Sequence, residues 1–467
     1  MFVLLKMIDL MASSIAAVPL VFYIIIKSIF SKKSTKVPEV RKMLILDMSY
    51  TLEIVRKRQL QAAITSRDLG GYFSHVWNVH PCSTVIQPER EQDRYGKFSS
   101  TSLTSKLTFV EGKIGRFETL KSFPALNFIL AQMDIFIYLN SLIDKEKITI
   151  IRAGDPYYLG PFGLSLSWMH KIPCALRIAL NYDTFYEMTG HLAFPRLLRK
   201  RWVEKIIERF TLRRADLVAG GNQDGLNFAL NNGARKECST VFRVGNLIHA
   251  AHFQPPEARP GAEDKLRGLG LVGKNFSITI SRLEPLKHVD DVIRGLAEVR
   301  KLGFDLYALL VGDGKMKEEL IDLAELLGMT DYVVFAGNRS QEWMASVLPG
   351  ASVVISPFMG RGLTEASLSG VPVVAYDIEW QGEIIKTGET GELIEYRNWK
   401  AMADAAIKFL LDEDYAKRIG DNARSNVLEM MDPEKLSRHE RNEYDKLFAR
   451  FYLEGNILKT EKFLSDK

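Results

Sequence analysis

Two hydrophobic patterns run along this chain. From Met7 to Ile26 the residues are mostly apolar, ending in the dense run Ala16-Ala17-Val18-Pro19-Leu20-Val21-Phe22-Tyr23-Ile24-Ile25-Ile26. After Lys42, short β-branched runs alternate with longer stretches of helical spacing, the pattern of parallel sheets covered by helices. In the first half this predicts strands at Met43–Leu46, His75–Val79, Ile148–Arg152, Cys174–Ile178 and Leu217–Ala219, with helical stretches such as Glu53–Leu69 and Phe194–Arg214. The polar segment Ser83–Glu111 yields no element. The second half alternates more cleanly. Its strands are Phe276–Ile280, Leu306–Val311, Tyr332–Phe335, Ser352–Ser356 and Pro372–Ala375. Its helices are Val289–Leu302, Lys315–Leu327, Gln341–Leu348, Leu363–Ser369 and Trp399–Leu411.

The proline-rich stretch Gln254–Gly261 lacks periodicity and reads as a linker. The expected architecture is α/β: two Rossmann-like, doubly wound domains facing each other across a cleft, behind an N-terminal apolar membrane helix. The boundaries read as an anchor segment at 1–36, a first domain at 40–250, a linker at 251–262 and a second domain at 263–432. The amphipathic tail at 433–467 is placed to pack back on the first domain.

An apolar helix of about 20 residues at 1.5 Å rise can cross a hydrocarbon core of about 30 Å. Lys6 and Asp9 sit at its outer end, and Lys27, Lys32, Lys33, Lys36, Arg41 and Lys42 follow it. A cleaved signal peptide carries its positive charge before the apolar region. If the segment spans, the positive-inside rule places the rest of the chain in the cytoplasm. A helix lying in one leaflet or buried in a core, with Pro19 breaking it, fits the same composition.

With 46% hydrophobic and 25% charged residues, the 467-residue chain is neither disordered nor collagen-like. A net charge of +5 suits anionic ligands or an anionic membrane surface and does not indicate nucleic acid. Cys82, Cys174 and Cys238 are far apart and odd in number, which argues against a disulfide framework or a zinc site.

Ligands of open parallel sheets bind beyond the carboxyl ends of the strands. In the second half these ends carry Ser281-Arg282-Leu283-Glu284-Pro285-Leu286-Lys287, then Gly312-Asp313-Gly314, then Gly337-Asn338-Arg339. The fourth carries Pro357-Phe358-Met359-Gly360-Arg361-Gly362-Leu363-Thr364-Glu365 and the fifth Tyr376–Glu383. Arg282 and Lys287 could neutralise a diphosphate, or could be solvated surface cations. Gly360 and Gly362 would let backbone approach a ligand, and N–H groups near Leu363 and Thr364 would point at an anion. Glu365 could accept from a ribose diol, or could merely complement the helix dipole. Gly312-Asp313-Gly314 alone is a weak signal, equally a plain turn.

Together, these segments, with Leu310-Val311 and Gly370-Val371-Pro372-Val373-Val374-Ala375, resemble the retaining glycosyltransferase family four, of GT-B fold, in a membrane-associated bacterial-type form. The resemblance is strongest over 276–411 and weaker over 148–246. It implies Arg282 and Lys287 on the donor diphosphate and Glu365 on the ribose. It also implies Gly312, Gly314, Gly337, Gly360, Gly362, Leu363 and Thr364 around the donor, with no cofactor and no required metal. The expected partners are a nucleoside-diphosphate sugar, a glycan or lipid-linked acceptor and the membrane surface. The expected reaction is sugar transfer with retention. A sugar-nucleotide epimerase on the same fold, or a non-catalytic nucleotide-sugar-binding subunit, are the competing functions. One departure stands out: where the family has a second glutamate, this chain has Pro357, so the sugar would be held by the backbone of Met359–Gly362 or by Glu383. The acidic Asp412-Glu413-Asp414 lies at a helix end and reads as a solvated turn.

In the first half, the loop Arg152–Tyr158 and the loop Asn181-Tyr182-Asp183 follow strands. Asp155 and Asp183 are candidate catalytic carboxylates or simple helix caps. Tyr157 and Asn181 are acceptor-side candidates, and Gly245-Asn246 would line the cleft. Phe194–Arg214 carries eight Lys/Arg against two Glu. Such a helix can rest on anionic lipid, or cover its own sheet.

Overall fold

Strand, helix, strand: each repeat of this unit lays one more parallel strand beside the last, and it does so in two separate places along the chain. The structure, a computed structural model, describes residues 2–57, 60–83, 94–195, 197–243, 248–259 and 261–454. The first of two units draws on Met1–Tyr186, Gly190–Arg243 and Glu434–Lys467, the second on Glu187–Thr189 and Val244–Pro433.

The first unit contains strands β1 (Lys42–Leu46), β2 (His75–His80), β3 (Ser99–Thr104), β4 (Leu107–Glu111), β5 (Ile150–Ala153), β6 (Cys174–Ile178), β7 (Leu217–Gly220) and β8 (Ser239–Val241). They form one sheet in the order β3-β4-β2-β1-β5-β6-β7-β8, with only β3 and β4 antiparallel. Helices α1 (Phe2–Phe30), α2 (Leu52–Lys57), α3 (Gln61–Thr65), α4 (Pro124–Glu146), α5 (Leu159–His170), α6 (Tyr182–Thr189), α7 (Arg201–Arg214) and α8 (Gln223–Asn231) connect or cover it. Side chains alternate across a strand, so β1 feeds two cores at once. Leu44 and Leu46 enter one core, and Met43 and Ile45 the other.

Three expectations change here. Glu53–Leu69 is broken into α2, α3 and a short 3-10 turn at Ser66–Asp68. The helix expected from Phe194 starts only at Arg201, after Pro195 and a left-handed Arg199. The segment without a readable element holds β3 and β4. β3 is Ser/Thr-rich and exposed along most of its length, so it carries no buried alternation to read.

The second unit contains α9 (Ala262–Arg267), β9 (Phe276–Ile280), α10 (Val289–Lys301), β10 (Tyr307–Val311), α11 (Lys317–Leu326), β11 (Val333–Gly337), α12 (Gln341–Val347), β12 (Val353–Ser356), α13 (Arg361–Ser367), β13 (Val373–Tyr376), α14 (Gln381–Ile384), β14 (Glu392–Ile394), α15 (Trp399–Leu411) and α16 (Glu413–Met430). The sheet order β11-β10-β9-β12-β13-β14 is all parallel. Numbered within the unit this is 3-2-1-4-5-6, which puts the topological switch point between the ends of β9 and β12. Asp412 caps α16 by accepting from Tyr415 N–H at 2.8 Å.

The expected linker is not a tether. Arg259 is buried and donates to the carbonyls of His252, Gln254, Ala345 and Leu368, which stitches the segment onto the second unit. The last helix, α17 (Pro433–Ala449), packs on the first unit. Its Tyr444 is fully buried, edge-on to Phe73 at 5.3 Å, and its Glu440 pairs with Arg152 of β5 at 2.9 Å.

Candidate functional site

The loops after β9 and β10 are held together by backbone contacts that only glycine permits. At Gly312 φ is +142°, and a Cβ there would lie 1.8 Å from the Ser281 carbonyl oxygen. A Cβ on Gly314 would lie 2.3 Å from Leu283 O. The loop after β9 is sewn to the loop after β10 by Leu283 N–H on Asp313 O and Met316 N–H on Leu283 O, each 3.0 Å. Gly312 and Gly314 therefore place the Arg282 loop. Gly337 O accepts from Gly312 N–H at 2.9 Å, and a Cβ at Gly337 would meet nothing within 4 Å.

This stitching presents Arg282 to solvent and leaves Lys287 half-buried. Lys287 Nζ lies 4.2 Å from the centroid of Phe358, whose loop follows β12, an arrangement that favours a cation. Loss of hydration and the nearby Arg282 charge push the Lys287 ammonium down to about 8, with Glu379 opposing them. Neither cation has a carboxylate within ion-pair distance among the described residues. Glu379 stands at φ 48°, and His288, directly after Lys287, at φ 50°. The His288 ring is fixed by Tyr396 and Arg397, each at 2.7 Å. Burial and the Arg397 charge press His288 down to about 4, so it is neutral at pH 7.

The loop after β12 is anchored by a side chain that the sequence reading did not single out. Gln381, fully buried at the start of α14, accepts from Ser356 Oγ at 2.7 Å and donates to Pro357 O at 3.1 Å and Tyr376 O at 2.9 Å. Pro357 thus takes part through its carbonyl. Its position after Trp380, in the loop that follows a strand, was the available signal. Gly360 is exposed with nothing within 4 Å of its ideal Cβ, whereas a Cβ on Gly362 would lie 3.1 Å from Ile280 O. Leu363 N–H is donated to Gly360 O at 3.0 Å, so that expected anion donor is already engaged. The Leu363 and Thr364 side chains are buried.

Glu365 is buried, and its Oε1 accepts from Arg361 Nε at 2.9 Å. Burial raises its carboxyl above the ordinary range, against the pull of Arg361 and His249. Arg361 is the second functional candidate the sequence reading passed over, although the i,i+4 spacing to Glu365 points to it. The contacts gather Arg282, Lys287, Phe358 and Glu379 into one group. Glu365, Arg361 and His249 form another at the far end of the same loop. Glu383 lies half-buried in α14.

In the first unit the candidate side chains have structural partners. Asp155 caps α5, its Oδ1 accepting from the N–H groups of Tyr157, Tyr158 and Leu159 at 2.8, 2.7 and 3.2 Å. Burial lifts its carboxyl to about 6 despite these donors. Asp183 pairs with Arg201 and Lys205 and accepts from Asn232. Asn181 caps α6, accepting from Asp183 and Thr184 N–H. Tyr157 is buried and donates its hydroxyl to Glu208 at 2.6 Å, so it is not open to an acceptor. Gly245 and Asn246 lie outside the described residues. Sequence reasoning missed a buried polar group at the end of β1 and within β2. There Arg67 bridges Asp47 and Asn78, and although burial would raise the Asp47 carboxyl, Arg67 holds it at about 2.

Residues 263–426 match the family described as glycosyl transferases group 1. The N-acetyl-alpha-D-glucosaminyl L-malate synthase of Bacillus anthracis is 33% identical over 175 residues, 36% of this chain and 45% of that protein. The poly(ribitol-phosphate) alpha-N-acetylglucosaminyltransferase of Staphylococcus aureus is 28% identical over 303 residues, 64% of this chain and 56% of that one. The chain thus spans about half the length of the curated relatives it matches. Anabaena Alr3699/HepE, solved in complex with UDP, superposes with a TM-score of 0.65 at 17% identity, covering 87% of this chain and 100% of that one. That similarity shows a shared fold, the GT-B fold expected from the sequence.

Proposed function

We propose that this chain, whose residues 263–426 match the family described as glycosyl transferases group 1, moves a sugar from a nucleoside-diphosphate sugar to a saccharide acceptor held at a membrane, with retention of anomeric configuration. The observation that carries this reading is the pair Arg282 and Lys287 at the β9/β12 switch point, one exposed, one desolvated against Phe358. Two fixed positive charges there would stabilise the charge that develops on a departing diphosphate, without a metal being required. Glu365 would accept from the ribose, and the exposed backbone at Gly360 would approach the phosphate or the sugar. The apolar α1 supports the membrane location of the acceptor.

Calorimetry with nucleoside diphosphates tests the site. Arg282→Ala and Glu365→Gln are each expected to weaken binding by about 1–3 kcal/mol, as for lost charge-assisted hydrogen bonds. Unchanged binding in both refutes the assignment. Transfer itself is read by mass: a heavier acceptor after incubation with membrane extract supports it, and an isomer of unchanged mass marks an epimerase.

Lys287 adds a pH signature. A dianionic ligand favours the charged ammonium, and the free protein loses that charge as pH rises through about 8. Affinity is therefore expected to fall above that pH, by at most about tenfold per unit for one linked proton. Lys287→Met should bind more weakly at pH 7 and show a flatter profile. An unchanged slope in this variant assigns the titration elsewhere.

A further inference from the structure

Helix α1 is amphipathic in the reverse of the usual sense. A surface helix in water turns its apolar stripe inward. Here the inward positions are Asp9, Ser13, Ala16, Ala17, Lys27 and Ser31, with Leu20 and Ile24 touching the core. The outward positions are large and apolar, among them Met11, Ile15, Phe22, Ile26 and Ile29, at 53–70% exposure.

The inward face is fastened along its length. Asp9 is 4% exposed and accepts from Ala125 and Leu126 N–H at 2.9 Å each, capping α4. Eighteen residues later, Lys27 donates to Asn140 and Asp144 of the same helix at 2.7 and 3.0 Å. Ser31 Oγ donates to Met169 O of α5. α1 and α4 therefore run side by side in the same direction, and α1 cannot cross a bilayer apart from α4 without undoing both ends.

A second helix repeats the inversion independently. In α7, Glu204, Glu208 and Thr211 are fully buried, while Trp202 and Ile206 are 65% and 59% exposed. α5 joins the two: it packs against α1 through Ser31, and its Trp168 meets Phe210 of α7 edge-on at 6.1 Å. Lys32 and Lys36 beyond α1, and Arg199, Arg209 and Arg213 on or beside α7, are exposed cations beside these apolar faces. Apolar area rimmed by Lys and Arg is complementary to the acyl boundary and headgroups of an anionic leaflet.

We propose that α1 does not span the membrane but lies in its plane, docked on α4 and α5, so that the outward faces of α1 and α7 together seat the first unit in one anionic leaflet. This deepens the membrane part of the functional reading. Its test reads lipid contact alone, so it can fail while sugar transfer stands, or the reverse.

The full chain is added to sealed vesicles of phosphatidylcholine with or without phosphatidylglycerol and separated by flotation. It should float with both, and more with the anionic vesicles at low salt. Phe22→Glu combined with Trp202→Ala should lower the bound fraction about tenfold or more, since each loses a large apolar insertion. Its unfolding midpoint should stay unchanged, because both side chains are exposed.

Lys6→Cys and Ser34→Cys then decide the topology, the native cysteines all being buried. Lys6 lies on the Asp9 face, three residues away, so in the docked arrangement both new thiols react with a membrane-impermeant maleimide added outside. Protection of the Lys6→Cys thiol alone means a spanning helix and overturns the proposal. No flotation, with a dimer in solution that Phe22→Glu dissolves, assigns the face to a second copy and also overturns it.

Discussion

Gly312→Val is expected to unfold the second unit about 3–5 kcal/mol earlier than the parent and to abolish nucleoside-diphosphate binding. The Cβ would sit 1.8 Å from a backbone oxygen, Ser281 O, which cannot swing aside as a side chain could. The residue would also be held at φ +142°, outside the range L side chains favour. Backbone strain and overpacking each contribute roughly 1–3 kcal/mol in such cases. Relief would have to come from moving the Arg282 loop, so stability and binding fall together. Gly312→Ala should be nearly as severe, because the first carbon alone makes the clash. Gly360→Ala is the counterpart: its Cβ would meet nothing within 4 Å, so it should cost far less stability than either Gly312 variant. Any loss of affinity in that variant reports a ligand resting on the backbone. Thermal unfolding and calorimetry on the three proteins separate these outcomes.

The second large effect is expected in the first unit. Arg152 and Glu440 form an ion pair with side-chain exposures of only 6% and 10%, closed over by Tyr444, whose hydroxyl donates to Glu440 at 3.2 Å. Arg177 on the neighbouring strand adds a like charge to the same interior. Glu440→Ala would leave the Arg152 guanidinium buried without its ion-pair partner, with only the more distant attraction of Asp47, at a cost of about 3–5 kcal/mol. Glu440→Gln keeps an acceptor and should cost less. The double replacement Arg152→Met with Glu440→Leu removes both charges and should recover most of the loss, because a buried pair is worth little against a well-packed apolar one. Urea unfolding monitored on the first unit gives the ordering. If Glu440→Ala and the double variant are equally unstable, packing of α17 matters and the charge does not.

Legibility in the sequence followed burial. β9 and α15 begin and end where the periodicity places them, since both faces of that sheet are covered and β9 is buried along nearly its whole length. The chemistry-bearing loops of the second unit were readable too, because the strand ends fix where Arg282, Lys287 and Gly360 must stand. β3 was invisible for the opposite reason, being Ser/Thr-rich and exposed along most of its length.

Side-chain partnerships over long separations left no local trace. Nothing near Tyr157 announces Glu208, 51 residues away. The apolar content of α1 was plain from composition, but its direction was not. Asp9, which reads as a charge at the outer end of a spanning helix, is what fastens α1 to α4.

α17 has a further consequence for how the polypeptide is made. The first unit is closed by residues that follow the whole of the second, with about 190 residues between Arg243 and Glu434. At roughly 5–20 residues per second, the ribosome needs about 10–40 s to cover that stretch. Throughout it the nascent first unit holds Arg152 without its counter-ion and leaves the hydrophobic surface around Phe73 uncovered. The second unit, continuous in sequence apart from three residues, can be complete before the first one is sealed. Chaperone occupancy of the emerging chain should therefore persist until the last helix has left the exit tunnel.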